Sequence, residues 1–308
     1  MSAPELAVPM SVATPRAAFS DYVALGKPRV SFMVFITALG GMWLSPMPLT
    51  FEHTLVSLFG ITLVIYGANA LNMYLERDVD ALMKRTESRP LPAGRMTPDQ
   101  VLFAGLVTSA AAVILLTIAV NPLTGLLSAV SLVLYVLVYT PWKRRSTLAL
   151  LIGAIPGAAP PLLGWTAATG RIDPAGLSLF FILFIWQIPH FLAISIFRRD
   201  DYIRAGLKIM PGVRGIAATK QRIVLYAALL GVATLPAYAT GLSSRYYLIV
   251  AVPLSLGFLL LALSGLGTPR GNTVEEREAN DSRWARRVFF ATIFHLPIVL
   301  GALALCRP

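Results

Sequence analysis

Residues 54–90 read TLVSLFGITLVIYGANALNMYLERDVDALMKRTESRP. The first 22 of them, 54–75, contain no Asp, Glu, Lys or Arg. About twenty apolar residues cross a bilayer as a helix, so this run predicts a membrane span. At Glu76 the character changes abruptly to charge. Asn72, Glu76 and Asp80 are spaced by four, and on a helix that continues past the membrane each step of four returns within about 40° of the same face. One amide and two carboxylates therefore line a single edge at the mouth of the span, with Asp78 turned elsewhere.

Eight further apolar runs, at about 30–45, 101–120, 122–140, 148–168, 175–197, 223–240, 246–266 and 288–305, repeat the span signal. Hydrophobic residues make up 56% of the 308 and charged ones 13%, against roughly 25% charged in soluble domains. This composition excludes an ordinary soluble protein and a disordered chain. It predicts an all-α, polytopic membrane protein with nine transmembrane helices. Residues 1–29 read as a cytoplasmic N-terminal segment and 30–308 as a single membrane domain. Residues 1–26 lack the basic start and apolar core of a cleavable signal, so the first span is expected to direct insertion.

The net charge is +11. In a membrane protein this excess reports topology rather than nucleic-acid binding. Of the 26 Lys and Arg, 23 fall in alternate segments, 1–29, 76–100, 141–147, 198–222 and 267–287. That places the N-terminus and the long basic loops in the cytoplasm, and the C-terminus outside, as in a bacterial inner membrane. The single cysteine, Cys306, excludes an intrachain disulfide and a cysteine metal site.

Two carboxylates and an amide oxygen suit Mg²⁺, which completes its shell with water and substrate phosphates. Lys84, Arg85 and Arg89 would supply cations to those phosphates. The same residues also fit a capped, salt-bridged helix end with a solvated charge run. A second mixed cluster, Arg198-Arg199-Asp200-Asp201-Tyr202…Arg204…Lys208, follows the sixth span directly. It hints at a diverged internal repeat: facing the first, the two could hold Mg²⁺ and one diphosphate. Ordinary positive-inside anchoring also accounts for it. Lys143 and Arg144 after Tyr139-Thr140-Pro141-Trp142, and Arg29 in Lys27-Pro28-Arg29, carry the same ambiguity. Inside the spans the only ionisable side chains besides tyrosines are His190 and His295, each a functional-site candidate or a histidine bonded between helices. The lack of intramembrane charge weighs against an ion-coupled transporter. No phosphate loop, nucleophile elbow or HExxH site is present.

Asn72…Glu76…Asp80, with Arg85-Thr86 and Arg89-Pro90-Leu91, resembles the first acidic motif of the UbiA superfamily of intramembrane prenyltransferases, closest to its haem-modifying branch. Lys27-Pro28-Arg29-Val30, Tyr139-Thr140-Pro141, Lys143-Arg144, Gly157-Ala158-Ala159-Pro160-Pro161 and Trp186-Gln187-Ile188-Pro189-His190-Phe191 look like further blocks of that branch, in order. So do Asp201-Tyr202…Ala205-Gly206…Met210-Pro211 and Leu296-Pro297. The resemblance covers most of the chain. It implies a helical bundle of the UbiA type that transfers farnesyl from farnesyl diphosphate to haem B. It implies Mg²⁺ on Asn72, Glu76, Asp80, Asp200 and Asp201, with catalytic roles for Asp80, Asp201 and Lys143. Diphosphate contacts would fall to Asn72, Lys84, Arg85, Arg89, Arg144 and Arg29, and a haem-related role to His190. Two positions depart from the superfamily pattern: Ala205 stands where a second aspartate is common, and Ala149 where an Asn is. A haem A synthase or terminal oxidase is implied as a partner. A different prenyl acceptor, either a quinone-precursor aromatic or a chlorophyll-like tetrapyrrole, remains the nearest alternative. A haem-handling membrane protein without enzymatic activity is a more distant one.

Overall fold

The computed structural model describes residues 17–48, 50–267 and 271–307; residues 1–16 of the expected N-terminal segment lie outside them. Every regular element among the described residues is helical. A short helix, α1 (Phe19–Leu25), meets α2 (Pro28–Trp43) at a bend of 51°. Then follow α3 (Phe51–Asp80), α4 (Pro98–Val120), α5 (Pro122–Trp142), α6 (Ala149–Thr169) and α7 (Pro174–Phe197). Two short helices come next, α8 (Arg199–Arg204) and α9 (Met210–Val213). The chain closes with α10 (Gly215–Ala239), α11 (Tyr246–Leu263) and α12 (Val274–Leu305). Among the described residues eight helices are long and apolar enough to cross a membrane, and the bent α1–α2 pair makes a ninth when taken as one.

Local chemistry sets where the helices begin. Thr97, Asn121 and Asp173 each accept a hydrogen bond from the backbone N–H three residues on, and each is followed by proline. The cap satisfies a free N–H, and proline has none to lose at the first helical position. The first span starts at Pro28 and ends at Trp43, two residues earlier at each end than its apolar run suggests. Charge does not end two of the others: α3 runs on to Asp80 and α12 begins at Val274. An α-helix satisfies its backbone equally well in water and in lipid, so composition changes along these helices while their geometry does not.

The helices are apolar around their whole circumference, as a bilayer requires. Phe103, Ile118, Leu126, Ile249, Leu260 and Phe294 point outward. Inward faces form packed clusters, three of them large. One joins α2, α3, α4 and α6 through Ala38, Met42, Ile61, Leu116 and Leu163. One joins α7, α10, α11 and α12 through Ile188, Leu192, Ile223, Phe258 and Val288. The third lies towards the C-terminal end of α12, around Trp165, Leu179, Tyr247 and Val299. With little hydrophobic drive between helices in lipid, close backbone approach supplies the packing. At the α2–α6 crossing, a Cβ on Gly164 would lie 1.9 Å from the Ala38 carbonyl oxygen, and one on Gly41 2.0 Å from that of Pro161. Only glycine fits either place.

Candidate active site

The α3 edge read from the sequence is present and buried. Asn72 is 1% exposed, Glu76 9% and Asp80 1%. The Asn72 amide Nδ2 donates to Glu76 Oε2 at 2.9 Å and to Thr140 Oγ1 at 3.1 Å. Its Oδ1 accepts from Lys27 Nζ at 2.8 Å. Asp78, as expected, is turned out and lies beside Arg77.

Three cations from three separate segments converge on this edge. Lys27 stands at the bend between α1 and α2, in the left-handed region at φ 50°. Lys143 Nζ donates to Glu76 Oε1 at 2.7 Å. Arg89 Nη1 donates to Asp80 Oδ2 at 2.5 Å. Arg89 can return to α3 because the loop after it is pinned: the fully buried Thr86 hydroxyl donates to the Asp80 carbonyl at 2.8 Å.

Lys143 is aimed by a distortion in α5. Residues Leu134–Tyr139 form a π-helical turn, a rare feature that often marks functional sites. There both the Thr140 N–H and its hydroxyl donate to the Tyr135 carbonyl, five residues back. The wider turn sets Thr140 against Asn72 and Lys143 against Glu76. The Tyr139 ring lies under Lys143, 4.5 Å from Nζ to its centre, a cation–π contact. Gly153 makes room for that ring: a Cβ there would be 2.5 Å from it. Burial pushes the Lys143 ammonium down, and the Glu76 carboxylate bonded to it opposes that by favouring the charged form. It stays charged.

The second cluster is brought to the first. Tyr202, Ala205 and Leu207 pack on Val79 and Met83 at the end of α3, and the Lys208 N–H donates to the Lys143 carbonyl at 2.9 Å. Asp201, on α8, pairs with Arg204. Asp200 is exposed. Lys84, Arg85, Arg144 and Arg29 are also exposed, and form no ion pair with the acidic edge among the described residues. The sequence reading missed Lys27, Thr140 and Tyr139 as site residues. For Lys27 the signal was a lysine before proline at a helix start, which reads equally well as a topology anchor.

His190 is not in this cluster. Its Nδ1 lies 2.7 Å from Thr292 Oγ1 on α12. His295 is 1% exposed, with Nε2 3.3 Å from Ser255 Oγ. At the opposite end of the bundle a pocket of about 670 Å³ is lined by Trp165, Arg171, Asp173 and Arg307. It lies remote from every acidic residue of the α3 edge.

The donor set bears on Mg²⁺. No group of three or more His, Cys, Asp or Glu is gathered for a metal among the described residues. The α3 edge itself offers one amide and two carboxylates, oxygen donors of the kind Mg²⁺ takes together with substrate phosphates. In this arrangement Glu76 is paired with Lys143 and Asp80 with Arg89.

A family model described as "UbiA prenyltransferase family" matches residues 34–280. The chain is 46% identical over 293 residues to the "Protoheme IX farnesyltransferase" of Anaeromyxobacter dehalogenans, covering 95% of this chain and 96% of that one. It is 48% identical over 286 residues to the protein of the same name from Sorangium cellulosum, covering 88% and 99%. Among solved structures it resembles a UbiA homolog from Archaeoglobus fulgidus bound to GPP and Mg²⁺. There the TM-score is 0.65 at 15% identity, over 90% of this chain and 99% of that one; this likeness is one of fold.

Proposed function

The chain belongs to the UbiA prenyltransferase family, and from that premise we propose that it is a protoheme IX farnesyltransferase, moving farnesyl from farnesyl diphosphate to haem B to give haem O. The observation that carries the reading is the buried meeting of Asn72, Glu76 and Asp80 with Lys27, Arg89 and Lys143 at one end of an apolar bundle. Relatives of matching length at 46% and 48% identity support haem as the acceptor.

The residues act in sequence. Glu76, Asp80, Asn72 and Asp201 would hold Mg²⁺, and the exposed Asp200 would stay outside that set. When bound, Mg²⁺ supplies neutralisation of the departing diphosphate. Lys143 and Arg89 would then turn from Glu76 and Asp80 towards the substrate. Lys27, Arg89 and Lys143 are freed to donate to phosphate oxygens, joined by Lys84, Arg85, Arg144 and Arg29 at the rim. Donors fixed before the reaction stabilise the leaving charge at little reorganisation cost. Cleavage of the C–O bond leaves an allylic cation, and the surrounding apolar helices keep water from it. The haem vinyl group attacks that cation. Water adds to the cation that results and loses a proton, giving the hydroxyethylfarnesyl substituent.

The charge asymmetry supports a cytoplasmic position for this end. Residues 30–308 serve as one membrane unit, which passes its amphipathic product to a haem A synthase or terminal oxidase. The test uses purified protein in nanodiscs with haem B, farnesyl diphosphate and Mg²⁺, read by mass spectrometry. Farnesylated haem that disappears with EDTA and in Asp80→Asn is the expected result. Diphosphate release with another acceptor alone would move the acceptor, and no turnover would overturn the reading.

A further inference from the structure

His190 is held more tightly than packing requires. The Thr292 hydroxyl donates its single proton to the Phe289 carbonyl at 2.6 Å, within α12. Back-bonding of this kind is common for threonine in helices. The same oxygen lies 2.7 Å from His190 Nδ1. With its proton committed, Thr292 Oγ1 can only accept there, so Nδ1 carries the hydrogen. In the neutral ring Nε2 is then the nitrogen with the lone pair, and it has no hydrogen-bond partner among the described residues.

The ring plane is fixed as well. Trp186 stacks on it at 4.9 Å and 23°, and Phe289 lies at 4.8 Å on a tilt. Phe191 meets it edge-on at 5.3 Å. Trp186 is itself pinned by its indole N–H, which donates to the Thr292 carbonyl at 2.7 Å. Thr292, fully buried, thus sets both the tautomer of His190 and the ring stacked on it. A free imidazole lone pair, an Nδ1–H bonded to the protein and an apolar cage together form the arrangement of a metal-ligating histidine with its supporting partner. His190 lies eight residues before Arg198, about 12 Å along the helix from the acidic end. An iron held there would leave the macrocycle edge between it and the diphosphate.

We infer that His190 Nε2 is an axial ligand to the iron of the haem acceptor, and that Thr292 is the positioning residue that selects its tautomer. The inference rests on the haem-acceptor reading given above. Ligation uses the lone pair alone: the Nδ1–H stays on Thr292 and no proton moves. The competing role for a neutral imidazole here is to take the proton from the adding water.

The experiment uses the full-length protein in nanodiscs with haem B and no prenyl substrate. Optical spectra are recorded, with electron paramagnetic resonance of the ferrous nitric oxide adduct. The wild type should show the additional nitrogen splitting of a trans imidazole. His190→Ala should lose it, and added imidazole should restore it. Thr292→Val keeps the side-chain shape but cannot accept, and should bind haem about 10-fold or more weakly, the usual scale for a supporting partner. A wild-type adduct without the imidazole nitrogen, or a His190→Ala spectrum identical to wild type, overturns the inference. Loss of turnover with unchanged spectra would assign the proton-acceptor role instead, and also overturns it. Prenyl transfer in the same samples separates the two readings: farnesylated haem with no imidazole signature leaves the enzyme function standing and removes only the ligand.

Discussion

Lys143 Nζ lies 2.7 Å from Glu76 Oε1, joining positions 67 residues apart across the α3–α5 boundary. Both side chains are largely shielded from water. Removing one partner strands the other, which costs about 3 kcal/mol or more for a buried pair. Lys143→Gln and Glu76→Gln should each lower the melting temperature. The double variant should recover much of that loss, because neither charge is then uncompensated. Activity should not recover, since in the proposed site both groups serve the diphosphate: each variant and the double should lose about 100-fold or more. Melting curves and turnover on the three proteins check the difference.

Lys27 combines a site cation with a backbone most residues avoid, φ 50° and ψ 66°. A non-glycine residue there carries roughly 1–2 kcal/mol of strain. Lys27→Ala removes the cation and keeps the strain, whereas Lys27→Gly removes both. The two should share a rise of about tenfold in KM for farnesyl diphosphate, while Lys27→Gly melts higher than Lys27→Ala. Equal melting temperatures would remove the strain argument, and an unchanged KM would remove Lys27 from the site.

The period-four spacing of Asn72, Glu76 and Asp80 was legible because a single helix carries all three, and helical geometry is local. The span count was legible because composition reports the solvent. The partners of those acids were not. Lys27, Arg89 and Lys143 arrive from a bend, a loop and the end of another helix, and long-range packing chooses among several nearby cations. Arg29 and Arg144 are neighbours of Lys27 and Lys143 in sequence but face outward. The π-helical turn that swings Thr140 and Lys143 inward leaves no mark in hydrophobic periodicity. Span ends at Pro28 and Val274 were missed because helices continue through charge and loops can be apolar.

Gly40 and Gly41 are adjacent and should respond oppositely. A Cβ at Gly41 meets the Pro161 backbone at 2.0 Å, while one at Gly40 has nothing within 4 Å. Gly41→Ala must separate α2 from α6, and overpacking of this kind costs about 1–3 kcal/mol. Gly40→Ala gains helix propensity, up to about 1 kcal/mol. Thermal melts in one detergent should place the first below wild type and the second at or above it. The same order should hold for the yield of folded protein.

Asp200 and Asp201 are neighbours whose surroundings differ. Asp201 is partly shielded and paired with Arg204, on a helix whose Tyr202 is packed against the end of α3. Asp200 is exposed. A carboxylate that shares a metal with the α3 edge must be fixed relative to it, and only Asp201 meets that condition in this arrangement. Asp201→Asn should lose about 1,000-fold in turnover, on the scale of removing a principal electrostatic contact, while Asp200→Asn stays within about threefold of wild type, as surface changes usually do. In the proposed site Arg204 would compete with the metal for Asp201, so Arg204→Gln should lower the Mg²⁺ concentration needed for half-maximal diphosphate release. If Asp200→Asn is instead the damaging change, α8 must turn by about one residue when substrate binds.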